Sequence, residues 1–256
     1  MINVVSANVL AQCPYEKYAT LALSINFEIR AKKFIDRIKE LMPDVILLQE
    51  VDKGWRNEID SNILKLGYYV QYGHCRNKNL GLAILWKKDT MEPASARAAN
   101  FSEAGILSME FLHSQSKEIV CFVTVHAPWG EAEKHHDFYN TIVSSNGNVL
   151  IAGDLNTDNP KENNNYKYFF GKLFTLNKGY KDITDSIQFT SRNVKTNTEE
   201  KIDFIIGKNC RAINTCIYPD KLALLLPHVF GGEFDLEEES NHFSDHALLS
   251  STIVLS

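Results

Sequence analysis

The apolar residues of this 256-residue chain fall into short runs, which alternate between the pattern of a strand and that of an amphipathic helix. The first run, INVVSANVL at 2–10, predicts a strand. From Phe27 to Met42 the apolar residues keep a helical spacing until Pro43 stops it. Residues 44–49, DVILLQ, then predict a buried strand. The chain therefore opens as strand, helix, strand.

The same alternation continues to the end of the chain. A second helix is predicted from Trp55 to Leu66, with Gly67 as its C-terminal stop. Helical character returns at 131–143 and again from Tyr166 to Leu176. Further strands are predicted at 68–73, 80–87, 119–126, 148–156, 189–193, 201–207 and 246–255. Long strands on both sides of a helical middle favour two sheets packed face to face, with helices outside, over a simple parallel sheet.

Composition bears on the domain organisation. The hydrophobic content of 44% is ample for a buried core. No linker rich in proline, glycine or serine, no internal repeat and no low-complexity tract interrupts the sequence. We therefore expect one domain over residues 1–256.

Charge and cysteine usage narrow the class of protein. The formal net charge of -5 argues against a generally basic surface that coats nucleic acid, although it leaves room for a local basic groove. The five cysteines form no CxxC pair and no zinc spacing, so free thiols in a reducing compartment are expected. The first strand begins almost at Met1, which leaves no room for a signal peptide, and no apolar run is long enough to span a bilayer. An intracellular protein, cytoplasmic or nuclear, is expected, and its oligomeric state stays open.

Polar residues suited to metal-assisted phosphate chemistry lie at the ends of the apolar runs. They are Asn8, Glu50, His126, Asp154, Asn156, Asp203, Asp245 and His246. Those before Asp203 lie at the C-terminal ends of their runs, the edge at which α/β sheets bind ligands. The last three precede their runs, and they reach the same edge if the late strands run antiparallel to the early ones. The hypothesis is one edge that carries all eight residues.

Four of these residues are carboxylates, Glu50, Asp154, Asp203 and Asp245, and a shared pocket would force them to repel. Two such charges about 5 Å apart repel by roughly 3 kcal/mol at an effective dielectric of about 20. A bound divalent cation is the simplest remedy. Carboxylate, amide and water oxygens suit Mg²⁺ or Mn²⁺, and the set contains no thiolate to attract zinc.

Six short motifs resemble, in the same order, those of the endonuclease/exonuclease/phosphatase superfamily, whose fold is similar to that of deoxyribonuclease I. They are SANVL at 6–10, LLQEV at 47–51, VTVHAPW at 123–129, IAGDLN at 151–156, KIDFII at 201–206 and SDHALL at 244–249. Each motif alone is weak evidence for the superfamily. The six together occur in the order of the family, and the resemblance extends over nearly the whole chain. The resemblance implies a four-layered α/β sandwich of two mixed, mainly antiparallel sheets.

The same resemblance implies a metal centre. Glu50 resembles the principal metal ligand of the superfamily. The metal is Mg²⁺, and Mn²⁺ can replace it. Asn8 and Asp245 resemble the residues that help to hold the metal and its waters. The implied cofactor is therefore Mg²⁺, bound by these three side chains.

The resemblance further implies the catalytic groups. Asp154 resembles the aspartate that orients or deprotonates the attacking water, and Asn156 the amide that grips the phosphate or the nucleophile. His246 resembles the imidazole beside the scissile phosphate, oriented by Asp203. His126 would donate a hydrogen bond to a phosphate oxygen as negative charge builds. Together these groups and the metal cover the needs of phosphodiester hydrolysis.

Each of these residues also has an ordinary structural interpretation. Asp154 and Asn156 could form only a turn after a strand, and Asn8 and Glu50 could cap the segments that follow them. A catalytically inactive family member that serves as a binding module is a further alternative. The functional interpretation is favoured jointly, since independent structural reasons would have to recur in family order at every motif.

The residues outside the motifs are interpreted more loosely. Trp129 follows the strand of His126 and is expected to stack on the substrate, and Arg192 is expected to meet a phosphate. Trp55, Tyr68, Tyr69 and Tyr72 could also stack on a base, but core packing is favoured for most of them. The remaining histidines match no motif and are expected on the solvated surface: His74, His113, His135, His136, His228 and His242.

The substrate is the least determined part of the prediction. A phosphodiester bond in RNA or DNA, including one at a 3′ end, is favoured. SANVLAQ at 6–12 resembles the opening of the deadenylase, nocturnin and Angel branch, but Ala7 stands where that branch has an aromatic residue. The alternatives are sphingomyelin, a phosphoinositide and a protein–DNA adduct.

Overall fold

The computed structural model of the chain describes residues 1–11, 27–74, 80–100, 105–127, 147–156, 179–192, 199–218, 244 and 246–255. The helices of these residues are α1 (Phe27–Leu41) and α2 (Lys53–Glu58), and α2 continues into a π-helical turn (Ile59–Ile63) and a 3-10 turn (Leu64–Leu66). Their strands, in chain order, are β1 (Ile2–Asn8), β2 (Val45–Gln49), β3 (Tyr68–His74), β4 (Gly81–Lys87), β5 (Met91–Asn100), β6 (Gly105–His113), β7 (Ile119–His126), β8 (Asn148–Asp154), β9 (Tyr180–Asp182), β10 (Ser191–Arg192), β11 (Glu199–Glu200), β12 (Asp203–Lys208), β13 (Cys210–Tyr218) and β14 (Leu248–Leu255). No helix within this part of the chain is long and apolar enough to cross a bilayer.

Two six-stranded sheets form the body of the fold. The strand order is β13-β14-β1-β2-β4-β3 in the first sheet and β5-β6-β7-β8-β12-β9 in the second. The neighbours β1 and β2 are parallel, as are β7 and β8, whereas the other neighbours are antiparallel. The sandwich of two mixed, mainly antiparallel sheets that the sequence predicts is therefore confirmed.

The strand β2 shows how the layers are held together. Its alternate residues face opposite ways: Leu47 belongs to the buried cluster between the two sheets, which also contains Phe122 and Leu150 of the second sheet. Leu48 belongs to a second cluster, which contains Phe34 of α1. Because both faces of β2 are covered, its sequence is continuously apolar, and full burial of each such side chain stabilises the fold by roughly 1.5–3 kcal/mol. Helix α1 therefore packs on the outer face of the first sheet.

The predicted second helix is present, but it changes its winding along its length. Asp52 caps α2, where its side chain accepts a hydrogen bond from the backbone N–H of Trp55. The π-helical and 3-10 turns follow, and Gly67 ends them with a φ of +90°. The helices predicted at 131–143 and 166–176 lie outside the described residues.

Five strands that the sequence pattern does not predict are present: β5, β6, β9, β11 and β13. The strands β5 and β13 lie at sheet edges, and their sequences carry few of the large apolar residues that mark a central strand. Pro93 within β5 marks an irregularity in its pairing with β6. The predicted strand 189–193 is wrong in extent, because only Ser191–Arg192 pairs, with β11. A prediction that relies on continuous apolar runs therefore misses edge strands, and here it also missed the inner strand β6.

The hypothesis about strand direction is confirmed. Strand β12 runs antiparallel to β8, with Asp203 opposite Asp154, and β14 runs antiparallel to β1. His246 precedes β14 and forms an isolated antiparallel bridge with Ser191. The starts of β12 and β14 therefore meet the ends of β1, β2, β7 and β8 at one edge. We call this edge the rim, and its residues are Asn8, Glu50, His126, Asp154, Asn156, Asp203 and His246.

The surface position expected for His113 is wrong. This ring is 2% exposed at the end of β6, next to a tight turn in which the N–H of Lys117 donates to the carbonyl of His113. The Nδ1 atom of His113 lies 2.9 Å from the hydroxyl of Ser116, and burial lowers the pKa of the imidazole. The turn supplies a polar partner to a buried ring, which a pattern of residue types does not reveal. The side chains of the other five histidines outside the motifs are not among those described.

Gly153 of β8 allows a close approach to the backbone of its neighbour β7, and to Gln49 of the other sheet, behind the rim. A methyl group on its Cα would stand 2.0 Å from the carbonyl oxygen of Val125 and 3.1 Å from Nε2 of Gln49. Its φ of +142° is also one that residues with a side chain rarely adopt. The fully buried Gln49 uses this space to donate to the hydroxyl of Thr124 at 2.8 Å, which joins β2 of the first sheet to β7 of the second.

We expect Gly153→Ala to lower the free energy of unfolding by roughly 3 kcal/mol or more, because the clash adds to backbone strain. The matched control is Gly67→Ala, where φ is also positive but the added methyl meets no atom within 4 Å. That control should cost about 1 kcal/mol. Urea unfolding followed by circular dichroism measures both losses. Equal losses would contradict a role for the close approach at Gly153.

Candidate active site

Five side chains converge at the rim from both sheets. Glu50 follows β2 and His246 precedes β14 in the first sheet, whereas His126 ends β7, Asp154 ends β8 and Asp203 begins β12 in the second. His126, Asp154, Asp203 and His246 are buried, and the side chain of Glu50 is 19% exposed. The candidate site is therefore a joint between the two sheets that is largely shielded from solvent.

The amide of Asn8 bridges carboxylates of the two sheets. Its Nδ2 donates to Oε1 of Glu50 and to Oδ2 of Asp154, each at 3.1 Å. Its Oδ1 accepts the N–H of Leu10 at 3.1 Å, and the N–H of Ala11 donates to Oε2 of Glu50 at 3.2 Å. The nitrogen of the Asn8 amide, and not its oxygen, thus faces the carboxylates in this structure. This arrangement holds Glu50 and Asp154 at a fixed separation.

Left-handed backbone conformations cluster around these groups. The φ angles of Leu10, Glu50 and Asn156 are +53°, +57° and +46°. For residues other than glycine such conformations cost on the order of 1 kcal/mol each or more. Hydrogen bonds from the backbone to the side chains of Asn8 and Asp154 offset part of this cost. These conformations turn the backbone away from the strand direction at the positions that carry the side chains of the site.

Two imidazoles point at the same carboxylate oxygen. The Nε2 atoms of His126 and His246 each lie 3.8 Å from Oδ2 of Asp154. The Nε2 of His126 also lies 3.8 Å from Oε1 of Glu50. These separations are longer than direct hydrogen bonds. Neither ring is therefore joined to Asp154 by a direct hydrogen bond, although each Nε2 atom faces that carboxylate.

The two histidines differ in how their rings are held. Nδ1 of His246 lies 2.8 Å from Oδ2 of Asp203, so the ring donates its Nδ1–H to the carboxylate. In the neutral ring this leaves Nε2 as the acceptor nitrogen that faces Asp154. Nδ1 of His126 is buried without a hydrogen-bond partner among the described residues. Only His246 is therefore oriented by a carboxylate within this part of the chain.

Asp154 also forms the turn that an ordinary structural interpretation predicts. Its Oδ1 accepts the backbone N–H of Asn156 at 2.8 Å, and the Asn156 amide donates to the carbonyl of Ala127 at 2.8 Å. Its other oxygen, Oδ2, faces Asn8 and the two imidazoles. One carboxylate thus fixes the local backbone with one oxygen and presents the other to the site. The Asn156 amide nitrogen is engaged with the backbone in this arrangement.

Burial and neighbouring charges separate the pKa values of the two central carboxylates. Burial raises the pKa of Asp154 to about 6; the nearby imidazoles oppose this shift, and the charge of Asp203 adds to it. Burial also acts to raise the pKa of Glu50, but His126 and the hydrogen bond from Asn8 outweigh it and hold that pKa below its ordinary value. Glu50 is accordingly the better anion, and Asp154 the better proton acceptor near neutral pH.

The donor atoms at the rim fit a hard divalent cation. Asp154, Asp203 and His246 each offer one ligand atom, and these atoms lie within 4.8 Å of one another. The hydrogen bond between Asp203 and His246 already occupies part of that group. The Glu50 carboxylate is a second candidate ligand for the cation. It is partly exposed, and its lowered pKa favours the charged form that binds a metal. Oxygen ligands of this kind suit Mg²⁺ or Mn²⁺.

A buried arginine and a tryptophan hold the turn after β1. Nη1 of Arg30 donates to the carbonyls of Val9 and Leu10 at 3.0 and 3.1 Å. Nε1 of Trp55 donates to the carbonyl of Leu10 at 3.1 Å. This turn carries the backbone N–H groups that bind Asn8 and Glu50, so both residues support the site from behind. Sequence reasoning gave neither of them this role.

Some of the predicted site residues fall beyond what the structure describes. Trp129 and Asp245 lie outside the described residues, and of Arg192 only the backbone is described, in β10. Core packing is confirmed for Trp55 and Tyr68, which are buried, whereas Tyr69 is 50% exposed and Tyr72 is partly buried. The described structure therefore brings together Asn8, Glu50, His126, Asp154, Asn156, Asp203 and His246.

Solved structures of similar fold cover nearly the whole chain. ANGEL2, a 2′,3′-cyclic phosphatase solved with adenosine-2′,3′-vanadate, is 14% identical with a TM-score of 0.76, and the match covers 99% of this chain and 95% of that one. The human nocturnin catalytic domain with bound sulfate is 15% identical with a TM-score of 0.71, covering 100% and 93%. D. rerio TDP2 with a single-strand DNA product is 14% identical with a TM-score of 0.71, covering 99% and 98%. At these identities the likeness establishes the fold.

The sequence itself gives the family. No curated protein sequence matches the chain significantly. The sequence model of the endonuclease/exonuclease/phosphatase family matches residues 5–246, which include every described residue of the rim. The fold that carries the carboxylates and imidazoles of the rim is shared with ANGEL2, nocturnin and TDP2. Because the family model matches nearly the whole chain, the chain belongs to the endonuclease/exonuclease/phosphatase family.

Proposed function

We propose that this protein is a divalent-metal-dependent hydrolase of phosphodiester bonds, whose substrate is a nucleic acid, RNA or DNA, including a 3′ end. The observation that carries the proposal is the convergence of two imidazole Nε2 atoms on Oδ2 of Asp154, beside the Glu50 carboxylate. Phosphodiester hydrolysis requires a water that loses a proton, stabilisation of charge on the phosphoryl oxygens and neutralisation of the leaving oxygen. The rim offers a group for each task.

Asp154 is proposed to orient and deprotonate the attacking water. Its pKa of about 6 makes it a competent base near neutral pH, whereas an ordinary aspartate is a weak one. Asn156, fixed to Asp154 through its backbone N–H, is proposed to grip the nucleophile or the phosphate. Its amide would have to release the carbonyl of Ala127 to do so.

The histidines are proposed to act on the phosphate. His126 donates to a phosphoryl oxygen as negative charge builds. His246 stands beside the scissile bond, and the Asp203 carboxylate stabilises the positive charge of its ring when Nε2 carries the proton that passes to the leaving oxygen. Both rings face the same space, so they can act on oxygens of one phosphate.

Glu50 is proposed as the principal metal ligand, with Asn8 and Asp245 helping to hold the metal and its waters. A bound Mg²⁺ or Mn²⁺ would supply Lewis-acid stabilisation of the phosphate charge. Asn8 contributes by holding Glu50 beside Asp154 through its amide nitrogen. This role of Asn8 needs no direct bond to the metal.

Two similarities support a nucleic-acid substrate, and both belong to other proteins. The TDP2 structure contains a single-strand DNA product, and the ANGEL2 structure contains an adenosine-2′,3′-vanadate. Trp129 is proposed to stack on a base and Arg192 to meet a phosphate of the substrate. A phosphodiester of another class and a binding module without catalysis are the alternatives that activity measurements separate.

The substrate class is tested with a panel of bis-p-nitrophenyl phosphate, 3′-labelled RNA and DNA oligonucleotides, a phosphoinositide and sphingomyelin, each with and without Mg²⁺. We expect metal-dependent turnover of the model diester and of at least one oligonucleotide. Turnover of only the lipids would overturn the nucleic-acid part of the proposal. No turnover of any of them would leave the binding module as the better description.

Glu50→Gln should raise the Mg²⁺ concentration for half-maximal activity by roughly tenfold or more, because the substitution removes an anionic ligand while keeping the shape of the side chain. A Mg²⁺ titration of the hydrolysis rate measures the effect. The matched control is Glu40→Gln on α1, an exposed glutamate paired with Arg37, which should leave the titration unchanged. A wild-type titration for Glu50→Gln would contradict the assignment of the metal ligand.

Asp154→Asn and His246→Ala should each lower kcat by roughly 100-fold or more while the fold stays intact, since each removes a group that acts in the transition state. Steady-state rates at saturating Mg²⁺ measure the loss, and circular dichroism checks the fold. Asp36→Asn, an exposed aspartate paired with lysines on α1, is the control for the loss of one carboxylate. If both site variants keep the wild-type kcat, the proposed roles are wrong.

A further inference from the structure

Thr190 makes hydrogen bonds to the backbone on both sides of the Asp203–His246 pair. Its side chain is fully buried, and its hydroxyl oxygen accepts the backbone N–H of Asp203 at 2.9 Å and that of Ile202 at 3.1 Å. Its carbonyl accepts the backbone N–H of Ala247 at 2.7 Å. One residue therefore contacts the neighbours of both partners of the pair.

The partners of that pair belong to different sheets. Asp203 begins β12 in the second sheet, and His246 precedes β14 in the first. The hydrogen bond from Nδ1 of His246 to Oδ2 of Asp203, at 2.8 Å, thus crosses between the sheets. Small relative shifts of the two strands would lengthen it, because a hydrogen bond tolerates only a few tenths of an ångström.

The segment around Thr190 lies between the two strand starts. Ser191 pairs with Glu200 on one side and forms the isolated bridge with His246 on the other. The backbone N–H of Thr190 also donates to the carbonyl of Glu200 at 2.8 Å. The segment is therefore joined to the chain before β12 and to the chain before β14 by backbone hydrogen bonds.

We propose that Thr190 is a positioning residue, which sets the distance between Asp203 and His246 by binding the start of β12 through its hydroxyl and the approach to β14 through its carbonyl. This inference rests on the proposed hydrolase function. Thr190 touches no reacting atom. It acts by fixing the ring of His246 in the tautomer and orientation in which Nε2 faces Asp154.

The hydroxyl is the part of Thr190 that substitution can isolate. Thr190→Val keeps the shape and removes the hydroxyl, which leaves the buried N–H groups of Ile202 and Asp203 without this acceptor. Thr190→Ser keeps the hydroxyl and removes only a methyl group. The matched control is Thr184→Val, since Thr184 is also fully buried and its hydroxyl also accepts a backbone N–H of β12, that of Ile205 at 3.4 Å.

The test is steady-state hydrolysis of bis-p-nitrophenyl phosphate at saturating Mg²⁺ by the full chain. Thr190→Val should lower kcat by roughly 10- to 100-fold with KM nearly unchanged, the size of effect seen when the support of a site residue is lost. Thr190→Ser should recover most of the wild-type kcat, and Thr184→Val should keep it. A Thr190→Val enzyme with wild-type kcat, or a Thr190→Ser enzyme as slow as Thr190→Val, would overturn the inference.

A second measurement needs no substrate. The ¹⁵N resonances of the His246 ring should report a single tautomer, protonated at Nδ1, in the wild type and in Thr190→Ser, and a mixture in Thr190→Val. The same spectra in all three would overturn the inference. If Thr190→Val does not fold, Thr190→Ala replaces it in both measurements with the same expectations. If the wild-type enzyme shows no turnover, the proposed function fails. If the wild type turns over substrate and Thr190→Val keeps the same kcat, this inference alone fails.

Discussion

Mutual repulsion of the carboxylates Glu50, Asp154 and Asp203 is the constraint around which the rim is organised. A pair about 5 Å apart repels by roughly 3 kcal/mol at an effective dielectric of about 20, and little solvent reaches this joint between the sheets. The Asn8 amide donates to two of the carboxylates, and the ring of His246 donates to the third. The raised pKa of Asp154, about 6, makes it a better proton acceptor than Glu50, whose pKa is lowered. The remaining negative charge favours a divalent cation, whose charge would stabilise the whole group.

The fold supports these groups through the backbone more than through side-chain packing alone. Two parallel pairs of strands end at the rim, and two antiparallel strands begin there, so residues distant in sequence become neighbours. Arg30 and Trp55 hold the turn after β1 by its carbonyls. Thr190 instead accepts backbone N–H groups, with its hydroxyl at the start of β12 and with its carbonyl just before β14. The left-handed conformations of Leu10 and Asn156 are supported by hydrogen bonds from their backbone N–H groups to the side chains of Asn8 and Asp154.

Sequence patterns predicted the parts of this structure that depend on local residue type. The continuous apolar run of β2 and the strand-end positions of Glu50, His126 and Asp154 follow from the period of the strand and from motif order. The meeting of Asp203 with Asp154 depended on strand direction, which the sequence left as a hypothesis and the pairing of β12 with β8 confirms.

Other features were beyond sequence patterns for physical reasons. The edge strands β5 and β13 lack the apolar runs that mark a central strand, and His113 is buried because a turn supplies Ser116 as its partner. The part that Thr190 plays depends on hydrogen bonds from residues 12 and more positions away, which residue type alone does not indicate. The direction of the Asn8 amide is likewise set by three separate partners.

The assignment of Glu50 to the metal and of Asp154 to the water can be tested by one diffraction experiment. Crystals of the wild-type chain soaked in Mn²⁺ and measured at the manganese absorption edge would locate the bound cation by its anomalous signal. We expect a peak at bonding distance from a carboxylate oxygen of Glu50. A cation bound only among Asp154, Asp203 and His246, or none near the rim at saturating Mn²⁺, would contradict the division of roles between the two carboxylates.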